Sequence, residues 1–269
     1  MSLSLIYGEI TLLLMSKIQL HRTLKIATFN IHKGVTHFNA RLALHAQRDI
    51  LRKISPDILF LQEVREKHHA HSQRFDAWPA SGQMHFLSHP DWLHQAYGKN
   101  AEDKNGHHGK AILSKYPILR SQNNDISAHQ LEQRGFLHCE IHLPNWPQSL
   151  HAFCLHLGLL AQWRRKQLHS VAEYITEHID PQNPLIVAGD FNDWSTKVGH
   201  DFAERLALKE VFTHHHGSHA RSFPACLPIF KLDRIYVRGF DIRHVEVHAG
   251  KHFLKVSDHA ILHANLIKT

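Results

Sequence analysis

The chain is poor in cysteine. Cys139, Cys154 and Cys226 are the three among 269 residues, and no two of them make a CxxC pair. So sparse and odd a set excludes a disulfide scaffold and fits a reducing compartment, so we expect a cytoplasmic protein. HExxH is absent as well, which removes the helix-borne zinc hydrolase pattern. No internal repeat and no long low-complexity linker interrupts the chain. Long apolar runs are missing too. The run "ITLLLM" near the start follows Glu9, has no basic flank or small-residue cleavage site, and is too short to span a bilayer. We read residues 1–22 as a poorly ordered leader, with Met15 as an alternative start, and residues 23–269 as one domain without a transmembrane segment.

What is present points to a packed protein with an anionic partner. Hydrophobic residues make up 43% of the chain, enough for a sizeable core. Lysine and arginine number 31 against 24 acidic residues, a net charge of +7. That modest excess suits a nucleic acid, a phospholipid surface touched peripherally, or a small phosphorylated molecule. The 29 histidines add positive charge in mild acid.

Strand-like and helical patterns alternate to the end of the chain. "LKIATFNI" (24–31), "DILFLQEV" (57–64), "KAILS" (110–114), "GFLHCEIHL" (135–143), "SLHAFCLHL" (149–157) and "PLIVAG" (184–189) read as strands. So do "LDRIYVRG" (232–239), "IRHVEVH" (242–248) and "HAILHANLI" (259–267). Residues 40–54, 160–179 and about 199–207 read as helices. Many strands with few helices, and closely spaced strands from 110 to 157, predict a four-layered α/β sandwich. In it, two mostly antiparallel sheets pack face to face with helices outside. Residues 65–106, rich in polar side chains, read as long loops.

Polar residues recur where these strands end. Asn30, Glu63, His156, and Asp190 with Asn192 close strands, while Asp233, Asp258 and His259 precede or open them. Each alone is an ordinary turn or cap residue. Converging, they make an oxygen-rich site for a hard divalent cation, Mg²⁺ or in its place Mn²⁺, with imidazoles for proton transfer. Asp190 and Asn192 are two apart, so in an extended segment they face one way and Phe191 faces the core.

The stretches "TFNIHKG", "PDILFLQEV", "GKAILSKYPI", "HLGL", "GDFND", "LDRIYV" and "SDH" occur in the order found in the endonuclease/exonuclease/phosphatase superfamily. That group includes pancreatic deoxyribonuclease, bacterial apurinic endonucleases, neutral sphingomyelinases and inositol polyphosphate phosphatases. The chain resembles it from about residue 24 to 267, and "SFPACLPIFKLDRIYV" resembles a subgroup of small bacterial members. The resemblance implies roles residue by residue. Glu63, Asn30 and Asp258 match the metal site, and Asn30 also supports the scissile phosphate. Asp190 matches the residue that positions or deprotonates the attacking water, and Asn192 a neighbour that binds phosphoryl oxygens. His259 pairs with Asp233, and His156 faces the phosphate from another strand. Lys110 replaces a small polar residue of many relatives and either contacts a substrate phosphate or caps a strand edge. Arg134 matches an Arg-Gly pair beside the site.

These assignments imply a metal-dependent phosphoester hydrolase. A phospholipid head group or small phosphorylated molecule is the favoured substrate, with DNA or RNA as the alternative and a silent phosphate-binding module as the third. Arg164, Arg165 and Lys166 read as a solvated helix surface. The histidine groups at 68–71, 107–108 and 214–216 read as surface histidines rather than a zinc site. Trp78, Trp92, Tyr97, Trp146 and Trp163 read as core or rim residues rather than base-stacking platforms, although Trp92 and Tyr97 stand where a substrate wall could form.

Overall fold

Leu185–Asp190 (β8) is buried at every position, and Thr23–Asn30 (β1) at every position from Ile26 onward. Strands buried on both faces read as continuous apolar runs, and they belong at the centre of a sheet covered on both sides. That is where the computed structural model, which describes residues 23–36, 41–68, 73–103, 106–129, 132–195 and 198–269, places both. The leader read for residues 1–22 lies outside the described residues.

Among the described residues, twelve strands form two six-stranded sheets. The first contains β1, β2 (Ile58–His68), β3 (His94–Asp103), β4 (Gly106–Ser114), β11 (Phe240–His248) and β12 (Ile261–Lys268), in the order β11-β12-β1-β2-β4-β3. The second contains β5 (Ile118–Asp125), β6 (Gly135–Ile141), β7 (Leu150–His156), β8, β9 (Lys209–Glu210) and β10 (Asp233–Arg238), in the order β5-β6-β7-β8-β10-β9. Each sheet has one parallel pair at its centre, β1 with β2 and β7 with β8, flanked by antiparallel strands. Each parallel pair is joined through a helix, as parallel connection requires. These are α1 (Leu44–Ile54) and α3 (Ala161–His178).

Three apolar layers hold this together. Between the sheets, Ile26, Ile58, Ile112 and Leu262 meet Leu137, Cys154, Ile186 and Ile235. Outside the first sheet, Leu59 and Leu61 pack under Leu44, Leu51 and Ile54 of α1, spaced to share one face of the helix. Leu87 of the short α2 (Gln83–Ser88) joins them. Outside the second, Phe153 and Val187 pack under Leu168, Val171 and Ile175 of α3 and Phe202 of α4 (Val198–Arg205). Burying one such side chain contributes about 1.5–3 kcal/mol. The expected four-layered sandwich is therefore the observed fold. No helix among the described residues is long and apolar enough to cross a membrane.

Residues 65–106 depart from the loops expected there. The end of β2, α2 and β3 occupy much of the segment. Trp92 is a core residue, as its favoured reading has it: it is buried and donates its indole N–H to Pro56 O at 2.8 Å. Tyr97 packs against the core of the first sheet, its hydroxyl 2.9 Å from His107 Nδ1. The polar strand β5, outermost in the second sheet, carries no apolar signal because nearly every residue in it is exposed.

Gly189 fixes the end of β8. A Cβ there would stand 2.0 Å from Leu155 O on β7, and its φ of +148° disfavours any side chain. Gly189→Ala is expected to lower the thermal midpoint by several degrees or leave the protein insoluble, measured by scanning calorimetry. An unchanged midpoint would mean that β7 yields without cost.

Candidate active site

The two parallel pairs point their carboxyl ends the same way across the inter-sheet layer. Asn30 ends β1, His156 ends β7 and Asp190 ends β8, with Glu63 just past the last β1–β2 pairing, Asn30 with Gln62. Strand register then sets the neighbours of Asp190: His156 is its partner on β7 and Asp233 its partner on β10. Asp190 Oδ2 accepts a hydrogen bond from Asn30 Nδ2 at 3.1 Å across the two sheets. The same oxygen lies 3.7 Å from His156 Nε2 and 3.8 Å from His259 Nε2. His259 Nδ1 is 2.9 Å from Asp233 Oδ2. All five side chains are buried.

Glu63 reaches the group through a bulge. The β2–β4 register passes from Leu61 opposite Ala111 to Val64 opposite Gly109, and Glu63 adopts φ +58°. Simple alternation would turn Glu63 to the helix side, with Leu61; the extra residue re-aims it. It is not the strand end expected, because β2 resumes to His68. Asn30 Nδ2 is 3.4 Å from Glu63 Oε1, and Lys33 Nζ is 3.7 Å from Oε2. The turn after β1 carries His32, Lys33 and Gly34 all at positive φ, so the backbone is strained at this edge. His32 Nδ1 in turn stands 3.2 Å from Asp258 Oδ2.

Asn192 differs from its expected geometry. Its φ is +47°, so residues 190–192 are not an extended segment. Its backbone N–H donates to Asp190 Oδ1 at 2.9 Å, and its amide donates to Leu157 O at 2.9 Å. Phe191 does enter the core, against Tyr236 at 5.3 Å between ring centroids. Arg134 Nε donates to the same Leu157 carbonyl at 3.1 Å, and Nη2 pairs with Glu132. Lys110 does not cap a strand edge; it is buried between the sheets and donates to Asn100 Oδ1.

Several supports carried no signal in the sequence. Ser257 Oγ donates to Asn30 O at 2.8 Å and stands 3.3 Å from His259 N, tying β1 to the loop before β12. Ser222 Oγ accepts from Asp233 N at 3.2 Å. Asp193 is buried, with Arg164 and Arg234 both 4.0 Å away. Arg164 is thus not part of a solvated surface: it is buried and donates to Gly158 O at 3.3 Å, whereas Arg165 and Lys166 are exposed. His214, His215 and His216 are exposed on a short helix. His108, by contrast, is half-buried and feels the charge of Glu63. His69 and His71 lie outside the described residues.

Environment separates the titrations. Burial, reinforced by Asp233, pushes the Asp190 carboxyl up to about 6 despite the opposing charge of His259. Burial opposes protonation of His259, yet the carboxylates of Asp233 and Asp190 outweigh it and raise its pKa to about 10. Burial, with Arg134, Lys110 and His259 nearby, holds His156 well below the usual imidazole range and therefore neutral. Burial also lowers Lys110 to about 7. At Asp258 burial favours the neutral acid, but the hydrogen bond and charge of His32 and the charge of His259 prevail and hold it ionised.

The donor set suits a hard cation. Glu63 Oε2 is buried without a hydrogen-bond partner, and Asp258 is kept anionic, so both offer the hard oxygens that Mg²⁺ prefers. Asn30 turns its N–H₂ toward the two carboxylates while its Oδ1 accepts from His32 N at 3.0 Å, which makes it a linker between Glu63 and Asp190. Asp190, Asp233 and His259 also present ligand atoms within 4.8 Å of one another.

Residues 27–259 match the model of the "Endonuclease/Exonuclease/phosphatase family". "Uncharacterized protein YbhP" of Escherichia coli K12 is 42% identical over 242 residues, 90% of this chain and 95% of that protein. An endonuclease/exonuclease/phosphatase from Beutenbergia cavernae has a similar crystal structure. Its TM-score is 0.72 at 17% identity, over 92% of this chain and 72% of that one. The structure of a mannosyl-6-phosphatase from Bacteroides thetaiotaomicron is similar at TM-score 0.68 and 14% identity, over 91% and 99% of the two chains.

Proposed function

The chain belongs to the endonuclease/exonuclease/phosphatase family, and on that premise we propose that it is a divalent-metal-dependent phosphoester hydrolase using water as nucleophile. One observation carries this reading: Asp190 Oδ2 accepts from a carboxamide and lies within 4 Å of two imidazoles at the junction of the two sheets. Asp190 accepts a proton from the attacking water as its oxygen bonds to phosphorus. His259, kept protonated by Asp233, donates from Nε2 to the phosphoryl oxygen that gains charge or to the departing oxygen. Neutral His156 orients the phosphate from the opposite side. Glu63 and Asp258 would hold Mg²⁺, or Mn²⁺ in its place, which would supply charge neutralisation for the phosphoryl group. Lys110 and Arg134 add positive potential beside His156.

A substrate with an apolar portion next to its phosphoester fits the rim. Rings run outward from the site: Phe223 lies 5.0 Å from His259, Trp194 6.1 Å from Phe223, and Phe230 5.0 Å from Trp194. Trp194 and Phe230 are exposed, as are Leu227 and Ile229 in the same loop and Leu159 and Leu160 just past His156. An exposed apolar group beside a polar cleft marks a binding surface. This favours phospholipid-like or other amphiphilic phosphoesters. The nuclease reading rests on the net charge of +7.

Purified protein with Mg²⁺ is expected to hydrolyse bis-p-nitrophenyl phosphate, and EDTA to abolish the activity; metal-independent turnover overturns the proposal. In a panel of plasmid DNA, RNA, phospholipids and phosphoinositides, Trp194→Ala with Phe230→Ala should raise KM about tenfold for micellar phosphodiesters. The kcat should be nearly unchanged. Cleavage confined to DNA and falling steeply with salt selects the nuclease.

A further inference from the structure

The segment "HVEVH" lies in β11 and places His244, Glu246 and His248 two residues apart, so all three project from one face. A register shift between Ile242 and His244 sets this face opposite β12, where Glu246 is paired with His263. The face is the outer one: Ile261, two residues before His263, packs with the α1 layer, whereas Leu262 packs between the sheets. None of these four residues enters the proposed hydrolysis.

Their side chains converge without bonding to one another. Glu246 Oε1 lies 3.6 Å from His248 Nδ1, and Oε2 lies 3.8 Å from His263 Nδ1 and 3.7 Å from His244 Nε2. These separations exceed hydrogen-bond lengths. His263 is 6% exposed, and its Nδ1 has no hydrogen-bond partner among the described residues. Its other nitrogen, Nε2, is 3.0 Å from Asn265 Oδ1. Donation from Nε2 to that carbonyl fixes the tautomer and leaves the Nδ1 lone pair aimed at Glu246. A ring N–H donated to an oxygen behind it is how a metal-binding imidazole is normally held. His248 Nε2 is likewise buried and unpartnered.

We propose that Glu246, His248 and His263, with His244 as a fourth donor, form a metal site for a borderline transition cation, Zn²⁺ being the best match. Two or three imidazoles and one carboxylate are a zinc donor set. Bonds of about 2.0–2.1 Å in a tetrahedron put neighbouring donors roughly 3.3 Å apart. The Glu246–imidazole distances of 3.6–3.8 Å are close to that, and the ligand atoms of Glu246, His248 and His263 all lie within 4.8 Å of one another. Mg²⁺ prefers oxygen and does not suit this nitrogen-rich group. Lys25 lines the same cavity and donates to Ile54 O at 3.2 Å. The group opens onto a cavity of ≈ 590 Å³ walled in part by Ile50, Lys53 and His252.

The test is binding, not hydrolysis. Chelator-stripped full-length protein in excess Mg²⁺ is titrated with Zn²⁺ against a chromophoric chelator, alongside Glu246→Gln and His248→Gln. Wild type should hold one more equivalent of Zn²⁺ than either variant, or hold it at least tenfold more tightly. Co²⁺ should give the visible absorption of a tetrahedral site in wild type only. Mg²⁺-dependent hydrolysis and far-UV circular dichroism should match across the three proteins. Equal Zn²⁺ stoichiometry and affinity in wild type and variants assigns the binding to other histidines and overturns the proposal. Glu246 is half-exposed, so Glu246→Gln decides alone if His248→Gln does not fold.

Discussion

Asp190→Asn is expected to lower kcat on bis-p-nitrophenyl phosphate about 10³-fold while raising the thermal midpoint at pH 8. The first effect follows from losing the proton acceptor, which typically contributes 10²–10⁴-fold. The second follows from the environment of the same group. Asp190 has a folded pKa of about 6, above its ordinary 3.8, because the charged form is buried beside Asp233. The folded state therefore binds this proton more tightly than the unfolded chain. Its stabilising contribution is complete below pH 3.8 and lost as pH rises through 6. At pH 8 the wild-type protein maintains a buried carboxylate that asparagine does not; at pH 4 it does not, and the two midpoints should converge. For wild type, kcat/KM should rise through pH 6 as Asp190 ionises and fall only near pH 10, where His259 loses its proton. Steady-state assays and calorimetry at both pH values check these points. A variant with full activity would remove Asp190 from the mechanism.

Asp233→Asn should cost about 10³–10⁴-fold in kcat, nearly as much as His259→Asn, although Asp233 does not reach the phosphate in this scheme. Its carboxylate holds the His259 tautomer through a 2.9 Å hydrogen bond and is the largest influence keeping the ring protonated despite burial. An asparagine can keep the contact but not the charge. The basic limb of the pH profile should then move from about 10 to lower pH, a displacement that a merely structural defect would not produce. The double variant Asp233→Asn/His259→Asn should be no worse than His259→Asn alone, since the two act as a unit. Additive losses would separate them.

The layered fold was legible because buried central strands spell themselves in branched apolar runs, as in "LIVAGD" and "KIATF". The edges were not. β5 is almost wholly exposed and carries "RSQNN", a composition indistinguishable from a loop. The identity of the polar residues at the strand ends was visible, but their aim was not. Glu63 depends on a bulge, Asn192 on a left-handed backbone, and Arg164 on burial beneath a helix start whose neighbours are solvated. Periodicity assumes uniform backbone geometry, and it fails where a site bends that geometry. Ser222 and Ser257 escaped because a serine hydroxyl bonding a distant main chain has no pattern in sequence.

The position of β12 between β1 and β11 has a consequence for how the protein is made. Ser257, which closes the site against Asn30, lies 227 residues further along the chain. During synthesis β1 emerges early, and its flank facing β12 stays unpaired until the last strand of its sheet leaves the ribosome. Until then the nascent chain exposes a growing sheet edge and lacks His259, so it is both prone to mispairing and inert. On the proposed mechanism, hydrolytic capacity should therefore appear only once the segment carrying Ser257 and His259 has joined β1.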